Sequence, residues 1–155
     1  MTFLLFQLGK DRYVLEASRV TEVLPLVELK QIPEALPGVA GMFNYHGKPV
    51  PVVDLSQLTT GQPARERLST RIIIVNYPDE SGREHPLGLI AEHATDVIRR
   101  ETGDFVEPGI KLGGGAYLGP VLTDKEGVIQ WVHAQRLLPA PVRDRLFGVT
   151  AEVGA

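Results

Sequence analysis

Apolar residues recur along this chain in short runs, separated by turn-forming Gly, Pro, Asp and Asn. Runs of about four to eight residues bounded in this way are the mark of β-strands. Phe3 to Leu8 predicts a first strand. Gly9-Lys10-Asp11-Arg12 predicts a turn, and Tyr13-Val14-Leu15 returns antiparallel to it. Glu16 to Arg19 is long enough for one helical turn. Val20 to Leu24 predicts a third strand, with Val20, Glu22 and Leu24 on one face and Thr21 and Val23 on the other. Pro25 ends or bends it, and Pro33 and Pro37 mark Ile32 to Gly38 as an irregular connector.

Gly38 to Leu55, GVAGMFNYHGKPVPVVDL, is the stretch around which the rest is organised. It predicts a hairpin turning at His46-Gly47-Lys48, with Gly47 free to take φ > 0. Pro49 and Pro51 cannot donate to a ladder, which predicts an edge strand or a strand end. Asp54 stands where a helix N-cap would stand, ahead of Leu55 to Leu58. Thr59 to Ser69 reads as an exposed loop.

Arg71 to Tyr77, RIIIVNY, is the clearest buried strand, its four successive branched residues suiting cover on both sides. Pro78 to Glu84 is a polar turn and Leu87 to Ala91 the partner strand. Ala94 to Ile98 continues as strand or short helix; periodicity does not choose over so few residues. Thr102 to Ala116 reads as a loop. Tyr117 to Thr123 and Val128 to Val132 form another hairpin across Asp124 to Gly127. His133 to Leu138 suggests a closing helical turn, and Val142 to Val149 a short amphipathic helix before frayed final residues. Strands at this spacing predict an all-β barrel or a pair of barrels.

Composition narrows the function. Apolar residues make up 43% of 155 residues, enough for a core. The net charge of -3 and pI near 5.8, with no basic run, argue against nucleic acid. The absence of cysteine removes disulfides and thiolate chemistry and suits a reducing compartment. The N-terminus lacks the basic and apolar regions of a signal peptide, and no apolar stretch reaches the roughly 20 residues of a spanning helix. These features read as a soluble, cytoplasmic protein.

No catalytic or metal constellation is legible. His46, His85, His93 and His133 lie in separate segments, none spaced to share a metal ion. Glu92 and Asp96 would share a helical face, read as a solvated one. Gly113-Gly114-Gly115 lacks the Gly-Lys-Ser/Thr ending of a phosphate loop and reads as a flexible surface loop. No nucleophile elbow surrounds Ser56 or Ser69. Asp54 reads as a cap, and Trp131 as a core or interface anchor rather than a stacking platform.

Four segments, in order, resemble the CheW-like coupling proteins of bacterial chemosensory systems. FQLGKDRYVLEASRVTEVLPL resembles that family's opening, with its Val-x-Glu-Val at Val20 to Val23. IPEALPGVAGMFNYHGKPVPVVDL resembles its centre, where Asn44-Tyr45-His46-Gly47 stands for Asn-x-Arg-Gly. TRIIIV with LGLIAEHATDV, and AYLGPVLTDKEGVIQWVHAQRLL, resemble the later parts.

The resemblance implies two five-stranded SH3-like β-barrels with a hydrophobic seam between them, and short helical segments. The middle of the chain would form one barrel, and its first and later parts the other. Residues 1–140 would make this domain and 141–155 a tail. The resemblance further implies no enzyme activity and no cofactor. It implies an adaptor between the cytoplasmic tip of a methyl-accepting chemoreceptor and the regulatory domain of a CheA-type histidine kinase, recruited to membrane receptor arrays without entering the membrane.

The receptor groove would use Val20, Glu22, Gly41, Asn44, His46, Gly47 and Val97; kinase contacts would lie at barrel ends. Glu22 and His46 would meet if the Glu22 strand lies beside the turn after Tyr45, a neighbour that would favour the charged imidazole. Histidine replaces the family's usual arginine here, which makes the charge at this place dependent on pH and hints at a specialised pathway such as twitching or surface sensing. Barrel-end strands allow a weak homo-oligomer. The alternative reading, a small barrel that binds nucleic acid, is disfavoured by the acidic pI and the lack of aromatic-basic clusters.

Overall fold

The computed structural model describes residues 1–32, 36–108 and 116–147. The predicted Gly113 to Gly115 loop and the last residues, which the sequence predicts to fray, fall outside them. Nine strands form: β1 Thr2–Leu8, β2 Asp11–Glu16, β3 Val20–Pro25, β4 Val39–Tyr45, β5 Lys48–Asp54, β6 Arg71–Pro78, β7 Glu84–Arg99, β8 Leu118–Asp124 and β9 Gly127–Val132. Two short helices, α1 Leu55–Thr60 and α2 Ala140–Phe147, and three single 3₁₀ turns complete the described chain. The second helix begins two residues before its predicted start at Val142.

Strand pairing builds two five-stranded SH3-like barrels from one path. The second barrel takes β3, β4, β5, β6 and the first half of β7; the first takes the second half of β7 with β8, β9, β1 and β2. Both use the same plan. One hairpin (β6–β7, β1–β2) pairs in parallel with a second (β4–β5, β8–β9), through Val52↔Gly88 in one barrel and Arg12↔Ile129 in the other. One single bridge closes each, Lys30↔Met42 and Val106↔Val121. The same five-part arrangement is therefore present twice, circularly permuted.

β7 makes this possible. Ala94 to Ile98 is strand, continuous with Leu87 to Ala91: β7 pairs with β6 over Glu84–Ala91 and with β1 over Glu92–Arg99. His93, at φ +50°, marks the change of partner.

Alternation along each strand feeds separate cores. Phe3 and Val14 enter the first barrel with Phe105, Ile129 and Trp131. Ile72, Ile74, Val52 and Ile90 fill the second barrel. The other faces, including Phe6, Leu8, Leu15, Ile73, Val75, Leu87 and Leu89, meet in the seam between the barrels. Ile72 to Val75 are all fully buried because the second barrel covers one face of β6 and the seam the other.

Two expectations need correction. The edge-strand reading of β5 holds only over Lys48 to Pro51; Val52 to Asp54 lie inside the sheet, in parallel with Gly88 to Ile90. Val20 and Glu22 do not share a face. A bulge between them pairs Val20 with Val75, on the seam side, and Glu22 with Ile74, on the second barrel's inner side.

A bidentate pair clasps one end of the first barrel: Arg12 donates to both oxygens of Asp124, at 3.0 and 2.6 Å. The Arg12 guanidinium and the Glu126 N–H hold the Asp124 carboxyl down at about 2, against an ordinary 3.8. A carboxylate with a depressed folded pKa adds stability that is complete above its unfolded pKa and is lost as pH falls through the folded one. We therefore expect Asp124→Asn to melt below wild type at neutral pH, with the gap closing between about pH 4 and pH 2. Parallel thermal melts across that range check it; a gap constant with pH would contradict the assignment.

Candidate functional site

The β4–β5 turn carries the site. Tyr45 pairs with Lys48, and His46 and Gly47 between them take φ of +52° and +86°. Two successive positive φ angles make a type I′ turn, whose twist matches the flanking strands. Glycine adopts this at no steric cost, and histidine is among the non-glycine residues that tolerate it. The Asn44 carboxamide oxygen accepts from the Gly47 N–H at 2.8 Å and fixes the turn from within. Asp54 caps α1 as predicted, accepting from Gln57 N–H at 3.1 Å, and also accepts from Ala64 N–H at 3.0 Å.

Glu22 reaches this turn from β3. Its Oε1 accepts the Tyr45 phenol at 2.7 Å and lies 3.8 Å from His46 Nε2. The short contact is thus with tyrosine, and the imidazole is the outer neighbour. The bond to Glu22 pushes the Tyr45 phenol above its ordinary value, so it remains a donor at neutral pH. The rings of Phe43, Tyr45 and His46 follow one another, with centroids 6.0 and 4.3 Å apart. Phe43 and Tyr45 also pack on the second barrel's core, so the site grows out of that core.

Gly41 sits deeper in the same hairpin. It is buried at φ +150°, and a Cβ there would meet the Lys30 carbonyl oxygen at 2.6 Å. This close approach permits the reciprocal Lys30–Met42 backbone bonds of 2.8 and 2.9 Å that close the barrel. Gly41→Ala is expected to cost about 1–3 kcal/mol and to speed amide exchange at Lys30 and Met42. Unchanged exchange at both would show that this approach does not hold the closure.

Glu22, Asn44, His46 and Gly47 are therefore brought together and Gly41 supports them. Val20 packs against the seam, and Val97, 62% exposed, lies on the first barrel beside Leu4, outside the hydrogen-bonded cluster. Tyr45 was absent from the predicted set. Its signal was weak: an aromatic residue next to a turn, whose partner lies 23 residues away on another strand. Glu92, read as part of a solvated face, is a buried strand residue, 2% exposed, paired with Arg65 at 2.9 Å. Among the described residues, no group of three or more histidines and carboxylates is placed to hold a metal ion.

The family model of the CheW-like domain matches residues 2–142. The chain belongs to the CheW-like family. It is 24% identical to the chemotaxis protein CheW of Klebsiella aerogenes over 96 residues, an alignment that covers 62% of this chain and 55% of that protein. The scaffolding protein TtCheW from Thermoanaerobacter tengcongensis has the same fold: the TM-score is 0.74 at 24% identity, over 90% of this chain and 89% of that one.

Proposed function

We propose that this chain is a non-catalytic adaptor, joining a methyl-accepting chemoreceptor to a CheA-type histidine kinase. Membership of the CheW-like family along nearly the whole chain is the observation that carries this reading. The receptor tip would be held by the Glu22–Tyr45–His46 cluster together with the apolar positions Val20, at the seam, and Val97, on the first barrel, with Gly41, Asn44 and Gly47 shaping the hairpin. Such a surface suits helix-in-groove recognition, where apolar anchors supply affinity and a few polar groups set the register. The kinase's regulatory domain would dock at a barrel end. Residues 1–140 would form the working domain and 141–155 its tail; the family match ends at residue 142.

The protein would work at the cytoplasmic face of receptor arrays. Among the described residues no helix is long and apolar enough to cross a membrane. His46 in place of arginine supports a specialised chemosensory pathway, because a histidine pair weakens as the ring loses its proton. The test is pairwise binding of the purified chain to a receptor cytoplasmic fragment and to a kinase regulatory domain from the same cell. Binding to both supports the adaptor; binding to neither at tens of micromolar refutes it.

A further inference from the structure

Glu22 meets two donors on the β4–β5 hairpin, and they are not equivalent. The Tyr45 hydroxyl donates to Oε1 at 2.7 Å, within ordinary hydrogen-bond distance. His46 Nε2 stands 3.8 Å from the same oxygen, beyond that distance. Tyr45 is also the better anchored of the two. Its ring neighbours those of Phe43 and His46 and packs on the second barrel's core. The His46 side chain is 75% exposed. The phenol is a neutral donor, and its bond to Glu22 pushes its ionisation above the ordinary value, so its proton stays in place where the imidazole gains and loses one.

The surroundings leave the rest of the carboxylate to a partner. Among the described residues Oε1 takes both contacts, and Oε2 accepts from none. β6 sets Ile74 opposite Glu22, and the hairpin sets Lys48 opposite Tyr45. Lys48, and Arg19 just ahead of β3, make no ion pair with Glu22 among the described residues. Of the residue types in this cluster, only histidine ordinarily changes charge between about pH 5 and pH 8. An ionised carboxylate accepts and does not donate, so Oε2 suits an N–H or O–H donor.

We infer that Tyr45 is the positioning residue of the receptor site: its hydroxyl holds Oε1 of Glu22 and thereby aims Oε2 at a donor side chain on the receptor tip, whatever the charge on His46. This rests on the receptor reading above and divides the work within it. A glutamate side chain turns about several bonds, and one already held in place loses less freedom when a partner docks. His46 is the substitute donor. Its ring attracts Glu22 most when protonated, so it replaces a missing phenol at low pH and much less at high pH.

Titration of a receptor cytoplasmic fragment against the full chain, at about pH 5.5 and about pH 8, tests this. Tyr45→Phe removes the hydroxyl and keeps the ring, so the packing on Phe43 and the core stays. At the higher pH this variant should bind roughly two- to tenfold more weakly than wild type, as the ordering of one free side chain costs. At the lower pH the deficit should fall below about twofold. Adding His46→Asn, a residue that also tolerates the positive φ, should make the deficit the same at both. In a Glu22→Ala background Tyr45→Phe should have no further effect. No deficit at the higher pH, or one that is equal at both pH values with His46 present, overturns the inference. The free protein gives a second readout. The Tyr45 phenol, followed by its ring-carbon resonance, should ionise at lower pH in Glu22→Ala than in wild type. Equal titrations overturn the inference with no receptor involved. A phenol that shifts, in a wild type that does not bind the fragment, refutes the receptor reading and the positioning role with it.

Discussion

Glu22→Arg is expected to lower affinity for a receptor cytoplasmic fragment by on the order of tenfold or more, about 1.4 kcal/mol or above, while binding to the kinase domain is unchanged. The reason lies in what Glu22 touches. Its carboxylate is the acceptor for the Tyr45 phenol and the neighbour of His46. A guanidinium there removes the acceptor, frees the phenol and sets a cation beside the imidazole. The surface offered to a partner changes sign while the core stays intact, because Glu22 is about 42% exposed. Reversed rim charges act on recognition more than on folding. Titration of the fragment against both proteins, with melts run alongside, measures the effect. Equal affinities at equal stability would remove Glu22 from the receptor site.

Phe3→Ala should have the largest effect on stability. Phe3 is fully buried and sits with its ring 5.4 Å from Phe105 and 5.0 Å from Trp131, edge-on to the indole. The three side chains come from β1, from the segment after β7 and from β9, so one ring ties the two ends of the chain into the first barrel. A Phe-to-Ala change at such a place costs about 3–5 kcal/mol, and the edge-to-face pairing adds to the lost burial. For a chain of this size the melting temperature should fall by roughly 10–15 °C. Chemical denaturation checks the free energy, and the near-ultraviolet signal of Trp131 checks the local packing. A loss under about 1 kcal/mol would mean that the barrel collapses around the gap, contrary to dense interior packing.

The strands and turns were largely legible in the sequence because each is specified locally. Ile72 to Val75 are buried on both faces, Asp54 caps α1, and the His46-Gly47 turn falls where its glycine predicted it. Less legible was whatever depends on a distant partner. One continuous β7 serves two barrels because different strands pair with its halves, and no run of five residues carries that information. The bulge at Thr21 sets Val20 opposite Val75 and Glu22 opposite Ile74, on different faces, which strict alternation does not anticipate. Glu92 read as a solvated charge because its buried partner, Arg65, lies 27 residues earlier on a loop. Within the candidate cluster, Glu22, Asn44 and His46 were named from the family resemblance, while Tyr45, which makes the shortest contact to Glu22, became visible only once β3 and the hairpin stood side by side.

The central claim is that this chain couples receptor to kinase. The most direct measurement is the autophosphorylation rate of a CheA-type kinase with the receptor fragment, with and without this protein, using Glu22→Arg as the control. Coupling predicts a change in rate that needs all three components and is lost with Glu22→Arg. A rate that depends on kinase and receptor alone, whichever form of the protein is added, would contradict it.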